Sequence, residues 1–233
     1  MLRIALVLLA VSGVAAALHL LSGCAKPGES FHSQDITGAD YGQLVKLTGF
    51  TDHTGRRLAS ADFTGPPRSQ PRLAAPHGGG VGLGRPSADF SGKAIVVFFG
   101  YTQCPDICPT TLTTMKEVMR LLGTDADRVQ VLFVSVDPER DTPELLAAYV
   151  PWFDPRFLGL RADPDTTRAA AQAFKVFYAR ANAGMGESAL GYSIDHTANS
   201  YAYDPQGRLR LLINHGAKPE HISEDLSKLL AGK

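Results

Sequence analysis

The chain has 233 residues, 44% of them hydrophobic, with 23 basic and 23 acidic side chains and no formal net charge. That balance, with no basic cluster carrying interleaved aromatics, argues against a nucleic-acid partner. No Gly-rich phosphate loop or GxSxG elbow points to nucleotide or acyl-transfer chemistry.

At the start of the chain, Arg3 precedes an apolar stretch from Ile4 to Leu21 and the small-residue ending Leu21-Ser22-Gly23-Cys24. Charged, then apolar, then small is the order of an export signal. The ending resembles a bacterial lipobox, which implies cleavage before Cys24 and lipidation of its thiol. The competing reading is an uncleaved anchor, since about 18 apolar residues suffice to span a bilayer. Residues 1–23 are therefore expected to be a lipoprotein signal peptide. Residues 24–42, polar and without periodicity, are expected to be a tether. Both readings place the rest of the chain on the exported side of a membrane, facing the periplasm or cell exterior of a bacterium.

Residues 43–233 carry the expected folded domain. Gln43 to Phe50 reads as a short strand, followed by a turn at Asp52 to Gly55. Gly65 to Arg85 is rich in Gly and Pro and poor in bulky apolar side chains, the composition of a disordered insertion. It is flanked by Ser60-Ala61-Asp62-Phe63-Thr64-Gly65 and Ser87-Ala88-Asp89-Phe90-Ser91-Gly92, a near-repeat that reads as a duplicated junction. Excision of residues 65–91 is expected to leave the fold intact.

From Ala94 onward, strand and helix patterns alternate. Ala94–Gly100 (AIVVFFG) and 129–136 (VQVLFVSV) are continuous apolar runs, the pattern of central strands covered on both faces. Helices are expected from Pro109 to Leu122, from Thr142 to Trp152 with Thr142 as cap, and from Asp163 to Phe174. Short strands are expected at Phe157–Leu160 and Lys175–Ala179, and a Gly-containing loop at 182–191. Ser200–Tyr203 and Leu209–Ile213 flank the turn Asp204-Pro205-Gln206-Gly207, and Pro219–Leu230 closes the chain as an amphipathic helix. This order specifies an α/β fold with a central mixed sheet flanked by helices. A cysteine pair between the first central strand and its helix reads as thioredoxin-like.

That pair is Cys104 and Cys108, in GYTQCPDICPTTL. A helix N-terminus favours thiolate. On a helix a four-residue step turns about 400° and brings Cβ atoms within roughly 6 Å; in a loop the sulfurs approach differently. In either geometry they can form a redox disulfide with each other or converge on a soft ion such as Cu(I) or Zn(II). A third ligand is then wanted. His196 (IDHTANSYAY) and His215 (NHG) are the candidates, the first favoured because it closes a loop beside the sheet. In the acidic run 137–144 (DPERDTPE), turn and cap chemistry is the plain reading, with Asp137 as a tuner of thiol acidity or metal charge as the functional one. Met115 and Met119 have helix-core spacing; Met185 is a remote axial-ligand candidate.

Three motifs in order, GYTQCPDICPTTL, SVDPERDTPE and IDHTANSYAYDPQGRL, resemble the Sco/SenC family of thioredoxin-fold copper-handling proteins. FHSQDITGADYG is similar to the family's leader into its first strand. The resemblance implies a metallochaperone that helps assemble the dinuclear copper site of cytochrome c oxidase. It implies copper, Cu(I) or Cu(II), as the bound ion, with Cys104, Cys108 and His196 as ligands and Asp137 beside them. It also implies the copper-site subunit of the oxidase and a thiol reductant such as a thioredoxin-like protein as partners. The competing reading of the same cysteine pair is a thiol-disulfide oxidoreductase acting on cysteines of that subunit or another exported protein. The 65–85 insertion departs from the family pattern.

Overall fold

Burial of β3 (Ala94–Gly100) and β4 (Val129–Ser135) is complete at every position, as their unbroken apolar sequence demands. The two pair in parallel, Ala94 opposite Val129 through Gly100 opposite Ser135. The structure is a computed structural model that describes residues 30–63, 90–181 and 192–233. The export segment, Cys24, the 65–85 insertion, Met185 and the loop 182–191 lie outside the described residues.

Around this pair the sheet runs β1 (Gln34–Asp35), β9 (Leu209–Ile213), β8 (Ser200–Tyr203), β3, β4, β5 (Leu158–Arg161) and β2 (Thr51–Asp52). β5 (Leu158–Arg161) extends the parallel side beside β4. β8 (Ser200–Tyr203) and β9 (Leu209–Ile213) form an antiparallel hairpin against β3. Parallel neighbours need crossovers. These are α1 (Ile107–Leu122) between β3 and β4, and α2 (Pro143–Phe153) between β4 and β5. α3 (Pro164–Ala173) follows β5, and α4 (Pro219–Leu230) packs on α1. The result is the expected mixed sheet with helices, the thioredoxin-like arrangement.

Local signals set the boundaries. The Thr142 hydroxyl accepts from the Leu145 N–H at 3.3 Å and Pro143 occupies the first helical position. Asp163 caps α3 by accepting from the N–H groups of Asp165 and Thr166, both at 3.0 Å. In the β8–β9 turn the Asp204 carboxylate accepts from Gln206 and Arg208 N–H groups, and Gly207 takes φ +75°, a conformation few side chains tolerate.

Five expectations change. Gln43–Phe50 is not a strand: Leu44–Leu47 is a 3-10 turn, and the buried residues Leu44, Leu47 and Phe50 recur every third position, the period of that helix. The strand in this region is the two-residue β2 (Thr51–Asp52). The strand expected at Lys175–Ala179 begins later, as β6 (Tyr178–Arg180), because Lys175 adopts φ +55° and breaks extension. α1 begins at Ile107, so Pro109 is its third residue, still within the turn whose N–H groups lack helical partners.

The last two changes concern the flanks. Residues in the second half of the expected tether are ordered: β1 (Gln34–Asp35) pairs with β9, and the buried Asp225 carboxylate accepts from the His32 and Ser33 N–H groups at 2.8 and 2.7 Å. The phenylalanine of each copy of the junction repeat is packed as well. Phe63 and Phe90 are buried with ring centroids 5.4 Å apart, and the Phe90 N–H donates to the Asp62 carbonyl. A cut of residues 65–91 therefore removes a core side chain.

Candidate metal centre

β3 delivers the chain to Tyr101, and the loop that follows carries Cys104 just ahead of α1. Cys108 is the second residue of that helix. The two cysteines are thus not a helical pair; Cys104 stands off the helix end in the loop geometry. Its sulfur accepts the Cys108 N–H at 3.4 Å, so it occupies the place of a capping group and takes a donor that helix formation leaves free. Cys108 is fully buried behind it. The closeness rests on Gly100: a Cβ there would lie 2.7 Å from the Cys108 sulfur and 2.9 Å from the Phe133 ring.

His196 arrives from the other side. It ends β7 (Ile194–His196), a strand that pairs antiparallel with β6 in a separate two-stranded ribbon. Its Nε2 is 3.4 Å from the Cys108 sulfur. Its Nδ1 is 3.0 Å from the Thr197 carbonyl, which accepts the Nδ1 proton and turns Nε2 toward the sulfurs. The ring meets Phe98 and Tyr101 edge-on, at centroid distances of 6.1 and 5.9 Å. The ligand atoms of Cys104, Cys108 and His196 all lie within 4.8 Å of one another, and among the described residues this is the one such group. Metal–sulfur bonds of about 2.3 Å let one ion reach all three after a small inward shift.

The two thiols are electrostatically unlike. The Cys108 thiol donates to Cys104, and with His196 and the N–H groups of Cys108 and Asp106 it holds the Cys104 thiol down to about 3. Burial pushes Cys108 far up, and the neighbouring Cys104 thiolate adds to this. The reduced site therefore holds one thiolate, half exposed, and one buried thiol.

The acidic run divides into two roles. Asp137, the expected tuner, is buried, with its carboxylate on the Arg140 guanidinium and on the Tyr192 hydroxyl, 2.7 Å away. Asp141, which sequence reasoning passed over, is fully buried and fastens the cysteine loop to the end of β4. It accepts from the Thr102 N–H at 3.1 Å and from the Thr102 and Ser135 hydroxyls at 2.6 Å each. Burial raises its pKa, and its charge contributes to the upward shift of Cys108.

The other candidates stay apart. His215 faces the Thr111 hydroxyl at 3.3 Å and does not join the cluster. Met115 and Met119 are core residues of α1.

Residues 82–231 match the SCO1/SenC family model. A SCO2-like protein of Rickettsia felis is 34% identical over 60% of this chain and 67% of its own length. The human mitochondrial SCO2 homologue is 36% identical over 64% of this chain, and the match spans 56% of that protein, little more than half. Among solved structures, Bradyrhizobium japonicum ScoI with copper bound is similar at 32% identity and a TM-score of 0.60, covering 82% of this chain and 99% of that one.

Proposed function

The chain belongs to the SCO1/SenC family, and from that premise we propose that it is a copper-binding metallochaperone whose site is Cys104, Cys108 and His196. The observation that carries the reading is the convergence of three soft donors from three separate elements, a loop, a helix and a ribbon. The donor set fits the ion. Two sulfurs and an imidazole suit Cu(I) and Cu(II) and suit hard cations poorly. The half-exposed Cys104 gives the ion a way in and out by ligand exchange. The recipient in this reading is the copper-site subunit of cytochrome c oxidase, and a thioredoxin-like reductant keeps the thiols reduced. Lipidation at Cys24 would hold the domain at the outer face of a bacterial membrane.

The test is copper titration of the reduced full chain. One copper per chain is expected, with intense sulfur-to-copper charge transfer for Cu(II). Cys104→Ser, Cys108→Ser and His196→Ala are each expected to weaken binding. Normal binding by both serine variants overturns the assignment.

The second reading, thiol-disulfide exchange, draws on the acidity of Cys104. There Cys104 attacks and Cys108 resolves. His196→Ala separates the two. A copper role predicts lost affinity. An exchange role predicts only that the acid end of the pH–rate profile moves upward, because His196 helps hold the thiolate.

A further inference from the structure

His196 does not sit on the central sheet. Its strand pairs with β6, so its distance from the sulfurs depends on what ties the ribbon to the domain. The described ties run to Tyr101, Arg140 and Glu139, the last of which pairs with Arg180 of β6. The Ile194 N–H donates to the Tyr101 hydroxyl at 3.1 Å. Arg140 Nη1 donates to the Tyr192 carbonyl at 2.8 Å, four residues ahead of His196. The Tyr192 hydroxyl donates to Asp137 Oδ1, and Arg140 Nε donates to Oδ2 of the same carboxylate. The guanidinium also lies 3.6 Å from the Tyr192 ring centroid and 5.7 Å from that of Tyr101. Tyr101 in turn presents its ring to His196 and its carbonyl to the Cys104 N–H, at 3.3 Å.

We infer that Arg140 is a positioning residue for the histidine ligand: held by Asp137, it clamps Tyr192 against the cysteine-bearing body and so sets the gap between the His196 imidazole and the two sulfurs. The inference rests on the copper reading above. Arginine suits the task. Its planar fork donates to a carboxylate and a carbonyl while its face stacks on an aromatic ring, which a lysine ammonium cannot do. Asp137 then acts on the centre through Arg140 and Tyr192, not through contact with a sulfur.

The experiment is a double-mutant cycle on the reduced full chain. Cu(I) affinity is measured by competition with a chromophoric chelator for wild type, Arg140→Lys, His196→Ala and the double variant. Arg140→Lys keeps the charge and loses the fork, and it should weaken binding about 10-fold, the lower end for loss of a group that orients a ligand. In the His196→Ala background the same change should have no effect, since there is no imidazole to place. Unchanged affinity in Arg140→Lys overturns the inference. So does an equal loss in both backgrounds, which would mark a role in general stability. If Arg140→Lys does not fold, Tyr192→Phe carries the same cycle, since it keeps the stacked ring and deletes the bond to Asp137. His196→Ala alone judges the underlying reading: if that variant binds copper as wild type does, the ligand assignment falls and the positioning role with it. If His196→Ala is impaired and Arg140→Lys is not, only the positioning role falls.

Discussion

The Cys108 N–H points at the sulfur of Cys104, 3.4 Å away, and the same two residues carry the most unequal thiols in the fold. One sulfur collects donors at a helix end; the other is buried among Gly100, Phe133 and the imidazole. Because Cys104 is held down to about 3, it is ionised through the neutral range and loses its charge only as pH falls toward that value. Alkylation of the reduced protein should therefore label Cys104 and spare Cys108. Its rate should stay nearly level from about pH 8 to about pH 5, where a free thiol slows steeply. Peptide mapping after iodoacetamide at stepped pH checks this. His196→Ala should move the fall in rate to higher pH. Labelling that tracks an ordinary thiol profile would show that the donors do not act on Cys104.

Metal loading should release a matching number of protons. At neutral pH the reduced pair holds one proton, on Cys108. Binding Cu(I) to both sulfurs then expels about one proton per copper. Calorimetry in buffers of different ionisation enthalpy counts it. About two protons would mean that Cys104 is protonated before the ion arrives.

Gly100→Ala tests whether close packing of the central strand sustains the site. The added Cβ would stand 2.7 Å from the Cys108 sulfur and 2.9 Å from Phe133, both in the core. Overpacking of this kind costs about 1–3 kcal/mol. The displaced sulfur should also weaken copper binding. Denaturant melts and the chelator competition read the two effects separately. A variant as stable as wild type, with unchanged affinity, would mean that the helix end moves freely relative to β3.

Where the sequence was legible, one residue type or one period decided the outcome. The unbroken apolar runs marked β3 and β4, Thr142 and Asp163 marked helix starts, and Pro219–Leu230 was delimited as observed. The cluster of Cys104, Cys108 and His196 was legible too, because cysteine pairs are sparse and the family resemblance favoured His196 over His215. The ribbon of β6 and β7 was not, since three-residue strands are too short to display a period. The part of Asp141 was hidden for a different reason. In an acidic run a buried carboxylate looks like a solvated one until Thr102 and Ser135, distant in sequence, are seen to donate to it. β1 was hidden as well: its pairing comes from the backbone, and its exposed side chains carry no apolar signal.

The junction repeat gives the last prediction. Composition alone treats residues 65–91 as removable, yet Phe90 is 2% exposed, stacks near Phe63 and lies under the Arg56 guanidinium at 5.8 Å. Loss of a buried phenylalanine costs about 3–5 kcal/mol. The Phe90 N–H also donates to the Asp62 carbonyl at 3.1 Å, so the two ends of the intervening segment already meet. A short Gly/Ser linker can therefore replace residues 65–88 without stretching the chain. Three proteins should be compared by thermal melting and copper titration: the full chain, the 65–88 replacement and the 65–91 excision. The replacement should match the full chain in copper affinity and lie close to it in stability, because closing a shorter loop changes entropy only slightly. The longer excision should melt clearly lower, unless a hydrophobic residue is returned at position 90. Equal melting of the replacement and the excision would show that Phe63 fills the core without its duplicate, and that the repeat is redundant after all.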